Sequence, residues 1–387
     1  MSFSVFDSDV VLCSGENVLT YNLLDDKESV IVLPKLQFKK EVNFHNNVEL
    51  DLYHATTNVS FSKNGEYFLI CTNRKQLCLY KRKTRELVSN RCLVRAASKV
   101  RFCPNNDIIV ADKTGDVYVF STNTLEDNGR FLLGHLSMLL DVLVTDDQKY
   151  VITTDRDEKI RVSMYPNSYN IAAYCLGHEK FVTNICELPH NKKIMISCGG
   201  DGFLKLWDYR SGKEVSSIKL SNNIPENDIA RFTKHLQSCD LDENVTEIPV
   251  KHLRATKLNE TDSILAISLY YSNNILMYKV CETTQNQFNI TYINAFDIED
   301  EPLDFIFYKT NLWILTNQGL NIYETQGNIS QNDKLNCLLM KVNNSWKKLR
   351  SNVNEQSLFP ILYKRKYDNV QEYQDRKKSR LTKISET

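Results

Sequence analysis

Two sets of side chains carry groups that could share protons. His178, Ser197, Asp201 and Trp207 bring together an imidazole, a hydroxyl, a carboxylate and an indole N–H. His135, Thr153 and Asp157 recur at similar separations, with Ser163 where the Trp would stand. A buried carboxylate is stable only when a partner compensates for lost water, so paired His and Asp residues of this kind read as internal hydrogen-bond networks. Neither set belongs to a reaction centre that the rest of the chain would complete. Only 12 glycines occur, and none fall as GxGxG, GxGxxG or GxxxxGK, the loops that let a backbone approach a nucleotide or S-adenosylmethionine. HExxH, GxSxG and a histidine pair at metal-ligand spacing are also missing. We therefore expect no catalytic residues, no cofactor and no metal.

The elements that position these sets are legible as repeats. Residues 134–163 align with residues 177–207 from Gly-His to the Trp position, 43 residues apart. That period, the Gly-His opening and the Trp207-Asp208 close describe WD-repeat blades of ~40–45 residues in four strands. Weaker copies carry Tyr21, Tyr80, Phe120, Tyr278 and Tyr323 at the Trp position, which makes seven blades. The fold class is thus all-β, a seven-bladed WD-repeat β-propeller over residues 1–345. An insertion at about 221–249, with a short helix over 226–237, reads as a surface excursion between blades five and six. Residues 346–387 read as a basic C-terminal tail, partly helical or disordered. From Lys347 onward eleven cations face five carboxylates.

Composition adds bounds. The 387 residues contain 48 Lys plus Arg and 48 Asp plus Glu, so no whole-molecule field favours a polyanion and any nucleic-acid contact must be local. Eleven cysteines without a CxxC pair, and no apolar amino-terminal signal segment, read as reduced thiols in an intracellular protein; no apolar run is long enough to cross a bilayer.

Four stretches, RAASKVRFCPNNDIIVADKTGDVYVFS at 95–121, LLGHLSMLLDV at 132–142, TTDRDEKIRVSMYP at 153–166 and CLGHEKFVTNI at 175–185, are more particular than any blade consensus. Together they resemble the non-catalytic WD-repeat subunit of the eukaryotic, fungal-type tRNA (guanine-7-)-methyltransferase. The resemblance implies a non-enzymatic scaffold in a heterodimer, which stabilises a separate catalytic subunit, helps seat tRNA for methylation of a variable-loop guanine, and resides in the nucleus. The alternative is a generic WD-repeat scaffold or adaptor of another nuclear complex.

The resemblance gives the charged run 155–161 to the catalytic partner, with Arg161 as the main contact and Lys159, Asp155 and Arg156 beside it. Arg161 aligns with Lys205, and strand alternation turns it away from Ile160 and Val162. Candidates for tRNA contact are Lys81, Arg82, Lys83 and Arg95, together with Lys364, Arg365 and Lys366 in the tail. KRK at 364–366 and RKKSR at 376–380 also resemble nuclear-import signals.

Overall fold

The computed structural model describes residues 3–35, 55–239, 241, 243–283, 287–325, 330–350 and 359–364. Seven antiparallel sheets of four strands form in sequence order. We number them blades 1 to 7 and label their strands a to d in chain order. Strand a of each blade packs against strand a of the next, and blade 1 meets blade 7, so the a strands surround an axial channel. Blade 4 comprises Leu139–Val144, Tyr150–Asp155, Ile160–Met164 and Ile171–Cys175; blade 5 comprises Val182–Leu188, Asn191–Gly199, Phe203–Asp208 and Lys213–Lys219. Aromatic residues 21, 80, 120, 278 and 323 all lie on c strands and are buried between blades, as the repeat spacing predicts.

Central strands such as Ile108–Asp112 and Tyr67–Thr72 are buried on both faces, because each blade is sandwiched between two others. The antiparallel order puts b–c turns and d–a loops at one end of the ring, and a–b and c–d turns at the other.

Every blade is built from its own stretch of chain, so among the described residues no shared sheet joins blade 7 to blade 1. A C-terminal helix closes the ring instead. Helix α1 (Met340–Arg350) buries Val342 and Trp346 among Val10, Leu12 and Tyr21 of blade 1 and Leu315, Leu320 and Ile322 of blade 7. Trp346 Nε1 donates to the Thr316 carbonyl at 3.0 Å, while the Asn343 amide accepts from Leu320 N–H at 2.8 Å and donates to Leu320 O at 2.9 Å. The expected boundary between 345 and 346 therefore falls inside a helix of the ring. Lys347, Lys348 and Arg350 occupy its last turn, where cations complement the helix dipole, and their charge disguised an amphipathic helix as tail.

A second C-terminal helix, α2 (Phe359–Leu362), lies over blades 5 and 6. Phe359 packs edge-on to Phe232 and Tyr271, and Tyr363 edge-on to Phe181. Phe232 belongs to the insertion helix, which spans Glu226–Gln237 as expected. That helix is more than a surface excursion: Asp228 is buried, accepting from Ser272 Oγ at 2.5 Å and Asn274 Nδ2 at 2.9 Å.

Candidate functional site

In blade 5 the predicted network forms in full. His178 Nδ1 lies 2.8 Å from Asp201 Oδ2, its Nε2 lies 2.7 Å from Ser197 Oγ, and Trp207 Nε1 lies 2.7 Å from the same oxygen. A carboxylate can only accept, so proton order runs from Trp207 to Ser197 to His178 Nε2, and from His178 Nδ1–H to Asp201. Asp201 also takes the Glu179 and Phe203 N–H groups, both at 3.1 Å.

Burial raises the Asp201 pKa, but the His178 and backbone hydrogen bonds outweigh it and hold the group below the ordinary carboxylate value. A depressed folded-state pKa gives stability that is present above the unfolded pKa and lost as pH falls through the folded one. Asp201→Ala should therefore destabilise the fold by about 3 kcal/mol at neutral pH, since it leaves buried donors unpaired. In acid the gap between wild type and variant should narrow. Urea titration at several pH values checks both, and a gap independent of pH would contradict the assignment.

Blade 4 corrects one expectation. His135 Nε2 meets Thr153 Oγ1 at 2.8 Å as predicted, but Nδ1 meets Asp155 at 2.9 Å, and Asp157 is not its partner. Asp155 pairs with Leu139 across the sheet at the place where Gly199 pairs with Val182 in blade 5. A Cβ at Gly199 would sit 1.9 Å from the Phe181 carbonyl oxygen, so blade 5 can carry its acid only two residues later. Blade 4 has no such obstruction. Asp155 is 2 % exposed and also accepts from the Asp157 and Lys159 N–H groups, which removes it from any partner surface. Asp157 instead pairs with Lys364 at 3.0 Å, tying the segment after α2 to this turn.

Arg161 stands opposite Thr153, as Lys205 stands opposite Ser197. Their surroundings differ. Lys205 is neutralised by Glu214 of its own blade at 2.7 Å. Arg161 faces no carboxylate among the described residues; Nε donates to Ser163 Oγ at 3.0 Å, Nη1 to Gly134 O at 3.1 Å and Nη2 to Ser168 O at 3.2 Å. Neutral acceptors hold the guanidinium in place without cancelling its charge. It lines a cavity of about 340 Å³ between blades 3 and 4, with Arg130, Phe131, Pro166 and Tyr169. Phe131 and Tyr169 of this lining are exposed, as are Ile171 and Tyr174 on the paired strand d, with Tyr174 directly opposite Arg161. An apolar rim around an oriented, uncompensated arginine has the composition of a docking hot spot. The aromatic rim was not singled out from sequence, although Tyr169, Ile171 and Tyr174 follow closely on Arg161. Lys159 is exposed and Arg156 partly buried, both at the b–c turn.

The tRNA candidates divide. Lys81 and Lys83 are exposed at the c–d turn of blade 2, with Lys81 3.8 Å from Glu86. Arg82 pairs with Asp9 at 2.8 Å, donates to Gly65 O at 2.6 Å and covers the Phe6 ring, so it joins blades 1 and 2. Arg95 is exposed at the opposite end of the ring, the end that also carries Asp157 and Lys364. Arg365 and Lys366 lie outside the described residues.

A ring of seven four-stranded blades with two His-Asp networks defines a WD-repeat propeller. A solved β-propeller domain of Cps50 (Swd1) from Myceliophteria thermophila superposes with a TM-score of 0.58 over 82% of this chain and 94% of that one, at 10% identity. The family model of the tRNA methyltransferase TRM82 WD40 domain matches residues 121–319. The Xenopus laevis tRNA (guanine-N(7)-)-methyltransferase non-catalytic subunit wdr4 is 32% identical, covering 83% of this chain and 79% of its own length. The Homo sapiens WDR4 subunit is 31% identical, covering 81% and 74%. The chain belongs to this family of non-catalytic subunits, and the generic scaffold reading gives way to it. No helix among the described residues is long and apolar enough to cross a membrane.

Proposed function

We propose that this propeller docks the catalytic subunit of a tRNA guanine-7 methyltransferase through the rim between blades 3 and 4, and helps to seat tRNA. The observation that carries the reading is the contrast between Arg161 and Lys205: one position in two successive blades, neutralised in blade 5 and left charged within an apolar rim in blade 4. An acidic side chain of the partner would complete it, with Tyr169 and Phe131 as anchors. Family membership supports the identity of that partner.

The tRNA contribution is electrostatic and weakens with salt. Because Lys81 and Lys83 sit at the end of the ring away from Arg95 and Lys364, a single tRNA-facing patch uses one pair. The basic runs at 364–366 and 376–380 support a nuclear location.

Truncation after Lys364 keeps both C-terminal helices and tests the remaining basic residues. It should lower tRNA affinity of the complex, flatten its salt dependence or shift the protein to the cytoplasm. No change in any of these would remove both roles. The docking reading is tested by mixing. The isolated chain should neither bind S-adenosylmethionine in calorimetry nor methylate tRNA, and adding it to the catalytic subunit should raise guanine-7 methylation; saturable cofactor binding, or no effect on the catalytic subunit, would overturn it.

A further inference from the structure

The axial channel carries charge that the docking surface does not use. Arg101, on strand a of blade 3 (Ala97–Phe102), grips Asp141 of blade 4 at 2.6 and 2.8 Å and reaches the Ile185 carbonyl of blade 5 at 3.1 Å. Asp141 is fully buried and also accepts the Ile185 and Val142 N–H groups. On the other side of the ring, Arg254 on strand a of blade 6 (Val250–Lys257) pairs with Asp304 of blade 7 at 2.8 Å, and Lys251 with Glu301 at 2.7 Å. Each of these cations therefore has its own carboxylate. The ammonium of Lys99, two residues before Arg101 on the same strand, has no hydrogen bond or ion pair among the described residues, and the residue is partly buried.

The groups facing Lys99 are Arg101 on its own strand, Asp141 on blade 4, Arg254 on blade 6 and Asp304 on blade 7. Both carboxylates are already held by guanidinium groups, so the local balance leaves one positive charge over. Burial, then the two arginines acting against the two aspartates, brings the Lys99 ammonium down to about 8. His252 of blade 6 donates Nε2–H to Leu303 O at 3.0 Å, and burial with Arg254, Lys251 and Lys99 nearby keeps it well below the ordinary histidine value, hence neutral.

We propose that the axial channel binds a small tetrahedral oxyanion, free or as a terminal phosphate ester, with Lys99 as its principal ligand and Arg101 and Arg254 lending charge from either side. An anion supplies the missing countercharge without disturbing the existing pairs. Arg101 holds both oxygens of Asp141 and Arg254 holds Asp304 through one, so the site needs one new contact from a lysine with three free donors.

The test uses the full chain and sulfate, whose charge does not change around neutrality, at ionic strength matched with chloride. Sulfate should raise the melting temperature of wild type saturably, and titration calorimetry should give the affinity. Lys99→Met, a similar shape without charge, should fold and weaken sulfate by about tenfold or more, the loss of one charge-assisted contact. Lys99→Arg should restore binding. In wild type, affinity should fall as pH rises through about 8, and in Lys99→Arg it should not. A nucleoside monophosphate run beside sulfate separates the sources: competition at equal or lower concentration assigns an ester, and failure to compete assigns the free anion. No saturable effect beyond chloride in wild type, or equal binding by Lys99→Met, overturns the site. Neither result bears on partner docking, which is read at blade 4.

Discussion

Arg161→Leu is expected to leave the propeller folded and to weaken binding of the catalytic subunit by well over tenfold. The guanidinium is pre-oriented by Ser163, Gly134 and Ser168, so little rotamer entropy remains to be lost on docking. Truncating one side of a desolvated interfacial ion pair costs about 2–5 kcal/mol, whereas a water-exposed rim pair is worth about 0–1 kcal/mol. The proposed docking puts it in the first class, since the cavity it lines and the exposed Phe131 and Tyr169 would be covered by the partner. Arg161→Glu should be worse, since it adds repulsion against an acidic partner. Lys205→Leu is the control: it deletes the equivalent cation of blade 5, whose charge Glu214 already satisfies, and should change stability more than affinity. Affinities of both Arg161 variants within about threefold of wild type, the scale of a solvated surface charge, would contradict the docking site.

Trp346→Ala is expected to be the most destabilising single change outside the blades, about 3–5 kcal/mol, the range for deleting a buried Trp. Among the described residues no strand is shared between the first and last blades, so α1 carries much of the closure. The substitution removes a side chain that is fully buried between blades 1 and 7, along with its bond to Thr316. Urea unfolding followed by tryptophan-independent circular dichroism measures the loss. Asn343→Ala, which strips both bonds to Leu320 while leaving the apolar contact, should cost less. A loss for Trp346→Ala no larger than a surface substitution, about 0.5 kcal/mol, would show that the blades close without the helix.

The ring itself was legible because a four-strand unit cannot hide its own face: it repeats, and six of the seven c strands set an aromatic residue at the same register, with Ser163 standing there in blade 4. The closing helix was harder to see. Leu339, Val342 and Trp346 form a helical stripe, but Lys347, Lys348 and Arg350 supply the charge by which that stretch reads as tail. Asp155 is not legible as the partner of His135 because blade 5 sets a Ser-to-Asp spacing of four, and the reason for that spacing is a steric clash at Gly199 that no spacing rule contains. Arg161 was placed correctly on its strand by alternation, yet its lack of a countercharge depends on what strand d offers. Opposite Trp207 stands Glu214, whereas opposite Ser163 stands Ile171. The channel charges were invisible for a simpler reason, since Lys99 and Arg254 belong to blades 3 and 6 and come to share one channel only when the ring closes.

Docking of a catalytic partner is tested most directly by the composition of the native complex. Purified from its own cells at low salt through a tag on this chain, the propeller should bring down a methyltransferase subunit in near-equal amount, and the Arg161→Glu variant should lose that subunit while remaining folded. Recovery of wild type without any methyltransferase, or equal recovery of the methyltransferase by Arg161→Glu, would contradict the assignment of the blade 3–4 rim as the place where catalysis is held.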